Sequence, residues 1–125
     1  MTTTPLTVLI AEDDDQFRVL VERLLIPDYR VVTAPNGEDA FALAKEEHPD
    51  VILTDVLMPK MTGVDLLRSI KDYPETKDIP VVILLATATN SDISAVESLN
   101  ADGIIPKEEI SRDALRAVIT KVSRN

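Results

Sequence analysis

The sequence predicts an α/β domain built as a doubly wound parallel sheet. Three observations predict it: five short apolar runs rich in β-branched residues, a longer segment of helical character after each, and unbroken hydrophobicity in three of the runs. Strict alternation of strand and helix implies right-handed crossovers, hence parallel strands with helices on both faces. Strands covered on both faces read as continuous apolar runs rather than alternating ones.

The strands are Thr7 to Ala11, Arg30 to Ala34, Val51 to Asp55, Val81 to Leu85 and the weaker Gly103 to Ile105. After the first, Phe17, Leu20, Val21, Leu24 and Leu25 fall at i, i+3, i+4, i+7 and i+8, one apolar stripe of a helix. Leu115, Val118, Ile119 and Val122 repeat that spacing near the end of the chain. The other three helices are expected near residues 37–47, 62–72 and 91–100. Their N-terminal signals are Asn36-Gly37 followed by acids, Thr62 with Asp65 three residues on, and Asn90 or Ser91. Pro27, Pro49 and Pro74 punctuate connections or helix ends. Pro106 lacks a backbone donor, which suits an edge strand for the fifth run.

At 125 residues, 45% hydrophobic and 28% charged, the chain has the makeup of one compact domain, with an ordered core expected from about residue 6 to 122. Folding at this length removes roughly two-thirds of the chain's surface from water, so the absence of cysteine is no handicap. No apolar run approaches the ~18 residues of a membrane span, and Met1 to Pro5 does not resemble a signal peptide, so a cytoplasmic protein is expected. The formal charge of −9 repels phosphate backbones and anionic lipid, which argues against direct contact with nucleic acid or membrane. At 3% aromatic residues there is also little material for stacking bases.

In doubly wound sheets ligands bind beyond the carboxyl ends of the strands. The first run ends in Glu12, Asp13, Asp14 and Asp15, and the third ends in Asp55. If strands 1 and 3 are neighbours, as in the flavodoxin-like order 2-1-3-4-5, these acids meet where the winding reverses. Carboxylates so close repel one another unless a cation neutralises them, and magnesium suits hard oxygen ligands. Lys107 follows the fifth run as the only basic residue directly at a strand end. A nucleophilic carboxylate, a metal site and a cation are what phosphoryl transfer to aspartate requires. Taken singly, each residue has a plainer role. Asp13 to Asp15 could cap the first helix, Asp55 could serve a turn, and Lys107 could be a solvated charge. Asp13 and Asp15 also form a D-x-D pair of the kind a magnesium-dependent phosphohydrolase would use, but that reading leaves Asp55 unexplained and there is no visible cap domain.

The stretches Val8 to Asp14, Asp50 to Gly63, Ile79 to Leu84 and Ala101 to Lys107 together resemble the receiver domains of two-component response regulators, over about Leu6 to Val122. The resemblance implies that Asp55 is the phosphoacceptor and that magnesium is held by Asp13, Asp55, the backbone carbonyl of Leu57 and, through water, Glu12. It implies that Lys107 contacts the phosphoryl group, that Ala86 is the small residue beside it, and that Pro59 and Gly63 shape the turn into the third helix. The implied donor is a histidine kinase or phosphotransfer protein, and the implied target a downstream protein or output domain.

Three positions depart from that pattern. Leu85 stands where a Thr or Ser is usual, and a leucine cannot donate a hydrogen bond to a phosphoryl oxygen. Ile104 replaces the aromatic switch residue, and Glu108 replaces the proline after the lysine. Thr87 is a possible substitute hydroxyl from the following loop. These departures leave open a pseudo-receiver, an interaction module whose binding face, formed by segment 91–100, the fifth strand and the last helix, works regardless of phosphorylation.

Overall fold

The computed structural model describes residues 4–56, 58, 60–86, 94, 97 and 100–123. The five strands are β1 (Thr7–Ala11), β2 (Arg30–Ala34), β3 (Val51–Asp55), β4 (Val81–Leu85) and β5 (Gly103–Pro106). They form one parallel sheet in the order β2-β1-β3-β4-β5, as the acidic pattern required. β5 is an edge strand and accommodates Pro106 opposite Leu85.

Four α-helices lie among the described residues: α1 (Asp15–Leu25), α2 (Gly37–Glu47), α3 (Gly63–Asp72) and α4 (Arg112–Val122). A 3-10 turn, Lys107–Glu109, follows β5. Five helices were expected, and the one near 91–100 falls largely outside the described residues, where Ser94 and Glu97 alone have described helical backbone. Among the described residues the architecture is therefore four α-helices and a 3-10 turn around a five-stranded sheet.

Two of the three expected caps form, and the third, at Asn90 or Ser91, lies outside the described residues. Asn36 Oδ1 accepts from the Asp39 N–H at 2.8 Å, and Thr62 Oγ1 accepts from the Asp65 N–H at 3.1 Å. Each satisfies a backbone donor that the first turn of a helix leaves free. Two apolar layers flank the sheet. Val21 and Leu25 of α1 and Leu115, Ile119 and Val122 of α4 pack on Val8, Ile10, Leu53 and Leu84. Ala40 and Ala44 of α2 and Leu66, Leu67 and Ile70 of α3 pack on Leu9, Ile52 and Ile83.

One member of the expected α1 stripe is not in the core: Leu20 is 47% exposed. At about 100° per residue, it lies roughly 100° around the helix from Val21 and 140° from Leu25, the two residues that face the sheet. Phe17 and Leu24 take the near flank instead and are partly buried.

Candidate functional site

The carboxyl ends of β1, β3 and β5 bring the acidic segment, Asp55 and Lys107 together. Asp14 caps α1, accepting through Oδ1 from the N–H groups of Gln16 at 2.9 Å and Phe17 at 3.3 Å. This is the plain role expected for part of the acidic run, and it frees the neighbouring acids for other work. Asp15 lies in the first turn of α1 and pairs with Arg18, outside the acidic trio formed by Glu12, Asp13 and Asp55. Arg18 also donates through Nη1 to the Glu12 carbonyl at 2.8 Å, bracing the start of the acidic loop.

Glu12 is fully buried and Asp55 is buried, while Asp13 is exposed. One carboxylate oxygen from each lies within 4.8 Å of the others, so the three can share one cation. Lys107 reaches this group from the far edge of the sheet. Its Nζ donates to Glu12 Oε1 at 2.7 Å and sits 3.4 Å from Asp55 Oδ1. Glu12 Oε2 accepts from the Asp14 N–H at 3.2 Å, and Asp55 Oδ1 from the Val56 N–H at 2.8 Å.

The electrostatics are unbalanced. Burial pushes the Glu12 carboxyl above the usual carboxylate range, and the Asp55 charge adds to the rise, outweighing the Lys107 and Asp14 hydrogen bonds that favour ionisation. Burial alone would lower the Lys107 pKa, but the hydrogen bond to Glu12 and the charges of Asp55 and Glu12 outweigh it and raise the value. The ammonium is therefore firmly charged, yet one positive charge faces three carboxylates. A divalent cation would complete the neutralisation, and an all-oxygen set of carboxylates suits magnesium or manganese.

The backbone around Asp55 is tightly held. The Thr54 hydroxyl donates to the Asp55 carbonyl at 2.9 Å, and the Gly63 N–H donates to the Val56 carbonyl at 2.8 Å. A Cβ on Gly63 would stand 2.0 Å from the Asp55 carbonyl oxygen, so only glycine allows this approach. Gly37 plays a similar part on the other side of the loop, where a Cβ would stand 2.2 Å from the Met61 carbonyl oxygen. Lys60, between them in the chain, has φ 68°, a left-handed conformation uncommon for lysine. Arg18 and Lys60 carry no signal in the sequence, while Phe17 was expected only as part of the apolar stripe of α1 and Gly37 only beside a cap residue.

Ala86 follows β4 and is exposed. Leu85, only 4% exposed, belongs to the apolar layer of α2 and α3, and Ile104 packs against that same layer. Leu57, Pro59 and Thr87 lie outside the described residues. A crevice of about 300 Å³ opens at the opposite end of the sheet, beside Asp50, Asp78 and Asp102. Asp50 is tied there to the Thr7 N–H, and Asp102 to Lys71 and the Val81 N–H. It has no part in the acidic site.

A parallel sheet in this order, with an acidic trio and a lysine at its carboxyl edge, has the parts of a phosphoacceptor signalling module. The chain belongs to the response regulator receiver domain family, whose model matches residues 8–120. It is 42% identical over 103 residues to Histidine kinase P4 of Formosa agariphila, covering 81% of this chain and 7% of that one. It is 37% identical over 124 residues to the transcriptional regulatory protein AfsQ1 of Streptomyces coelicolor, covering 94% and 53%. The chain thus spans about half or less of these relatives' lengths. Among solved structures, the chemotaxis response regulator CheY4 of Vibrio cholerae is 28% identical with a TM-score of 0.85, covering 95% of this chain and 99% of that one. The Mn(2+)-bound form of the response regulator Rcp1 is 28% identical with a TM-score of 0.76, covering 96% and 94%. No helix among the described residues is long and apolar enough to cross a membrane.

Proposed function

We propose that Asp55 accepts a phosphoryl group with magnesium beside it, from a histidine kinase, a phosphotransfer protein or a small phosphodonor. The observation that carries this reading is the placement of Lys107 Nζ, 2.7 Å from Glu12 and 3.4 Å from Asp55, although 95 residues separate Lys107 from Glu12. An Asp55 oxygen attacks phosphorus, the new O–P bond forms as the donor's bond to phosphorus breaks, and the leaving group departs with the displaced electron pair. Lys107 meets the phosphoryl oxygens as a compact point charge. Asp13, Asp55 and the Leu57 carbonyl would hold the metal, with Glu12 acting through water, and the metal would supply charge neutralisation. The manganese-bound form of Rcp1 supports a divalent cation in a relative of this kind. Ala86 leaves room beside the phosphoryl group, and Thr87 serves as the hydroxyl donor that Leu85 cannot be.

The chain acts as one domain of the cytoplasm and signals to a downstream protein or output domain. Intact mass after incubation with acetyl phosphate and magnesium is the test. One added phosphoryl group is expected, absent in Asp55→Asn, and equal labelling of that variant would defeat the reading.

A second reading, a phosphorylation-independent pseudo-receiver, is favoured by the packing of Leu85 and Ile104 on one apolar layer. These two aliphatic side chains offer neither the hydroxyl nor the ring of the family's usual relay. A partner titration with and without beryllofluoride separates the two, because only a switch changes affinity.

A further inference from the structure

Lys107 has a third neighbour besides its two acids. The ring of Phe17, five residues after Glu12, lies with its centroid 4.5 Å from Lys107 Nζ. That is within the ~6 Å over which an ammonium is drawn to the negative face of an aromatic ring. The ring is itself fixed: Asp14 Oδ1 accepts from the Phe17 N–H, and the side chain packs against the layer formed by α1 and α4. Lys107 needs such a fixture. It opens a three-residue turn beyond an edge strand, on a four-carbon stem that would otherwise sample many rotamers.

The two kinds of hold on Lys107 differ in how they answer a cation. A divalent ion shared by Glu12, Asp13 and Asp55 opposes the attraction of those carboxylates for the ammonium, whereas the ring's quadrupole carries no net charge to neutralise. We propose that Phe17 is a positioning residue for phosphoryl transfer: its ring holds the Lys107 ammonium beside Asp55 by a cation–π contact that outlasts the engagement of Glu12 by a divalent cation. The seat rests on the proposed function for its purpose but not for its existence.

The experiment follows Lys107 in the full chain by NMR and Asp55 by intact mass, in wild type, Phe17→Leu and Phe17→Tyr. In wild type with magnesium, the Lys107 ε-methylene protons should show an upfield ring-current shift, retained in Phe17→Tyr and lost in Phe17→Leu. Labelling by acetyl phosphate should slow roughly 2- to 5-fold in Phe17→Leu, the worth of one exposed cation–π contact, and recover in Phe17→Tyr. Lys107 shifts that do not change in Phe17→Leu would overturn the seat. So would slow labelling that Phe17→Tyr leaves slow, since that marks a packing defect. If wild type takes no label, the transfer reading fails, while the ring-current comparison still decides whether the seat exists.

Discussion

Replacing Lys107 by methionine keeps an unbranched stem and removes the charge, leaving Glu12 fully buried with the Asp14 N–H as its remaining hydrogen-bond donor and Asp55 nearby. At an effective dielectric of about 20, the gross attraction of the ammonium is ~6 kcal/mol at the 2.7 Å separation from Glu12 and ~5 kcal/mol at the 3.4 Å separation from Asp55. Desolvation offsets most of this, and removing one partner of a buried pair typically costs about 3–5 kcal/mol. Glu12 has an escape, however, in taking up a proton. For a carboxyl of ordinary pKa 4.5, that costs ~4 kcal/mol at about pH 7.5. Burial already favours the protonated form, so the ceiling is lower still. The expected loss in metal-free protein is therefore ~2–3 kcal/mol at about pH 7.5, falling below ~1 kcal/mol near pH 4.5. Urea unfolding of both proteins in chelator, at each pH, measures the difference. Adding magnesium at the higher pH should narrow the gap, because the cation replaces the missing counter-charge. Equal losses at both pH values, with no effect of magnesium, would show that Lys107 contributes through its stem, and the charge argument would be wrong.

Three further outcomes are expected. Because the Glu12 pKa is higher folded than unfolded, the native state binds more protons there, and metal-free stability falls as pH rises from about 4.5 through the raised folded value. Glu12→Gln should flatten that part of the stability profile, and an unchanged slope would mean another group causes it. Gly63→Ala places a Cβ 2.0 Å from the Asp55 carbonyl oxygen and should cost ~1–3 kcal/mol while shifting Asp55. Its urea midpoint and a magnesium titration of the Asp55 amide would both have to match wild type for this to be wrong. Leu85→Thr restores a hydroxyl at the end of β4 and should enlarge the chemical-shift response to beryllofluoride, at a stability cost of ~1–3 kcal/mol for the lost apolar packing. Identical responses in the two proteins would argue that the position does not report phosphorylation.

The strands were legible because each is a short run rich in β-branched and apolar residues, three of them unbroken as covered strands are, and four of the five occupy their expected residues. The caps Asn36 and Thr62 were equally legible, since a helix start is a local matter of one side chain and its own backbone. Leu20 was misplaced because periodicity gives an arc of apolar residues without saying where the sheet lies against it. Asp55 and the acidic run could be named as candidates from their positions at strand ends.

Residue order alone sets the alternation of elements, and with it which side chains stand at the carboxyl edge of the sheet. Which of those side chains touch is a matter of how the elements pack. That Lys107 bonds Glu12 more closely than Asp55, that Phe17 carries the ammonium on its ring, and that Gly63 admits the Asp55 carbonyl are contacts between elements. They depend on strand register and on a helix's rotation about its own axis. No window of sequence contains either, because a contact across 95 residues is set by the packing of the whole sheet between its two apolar layers.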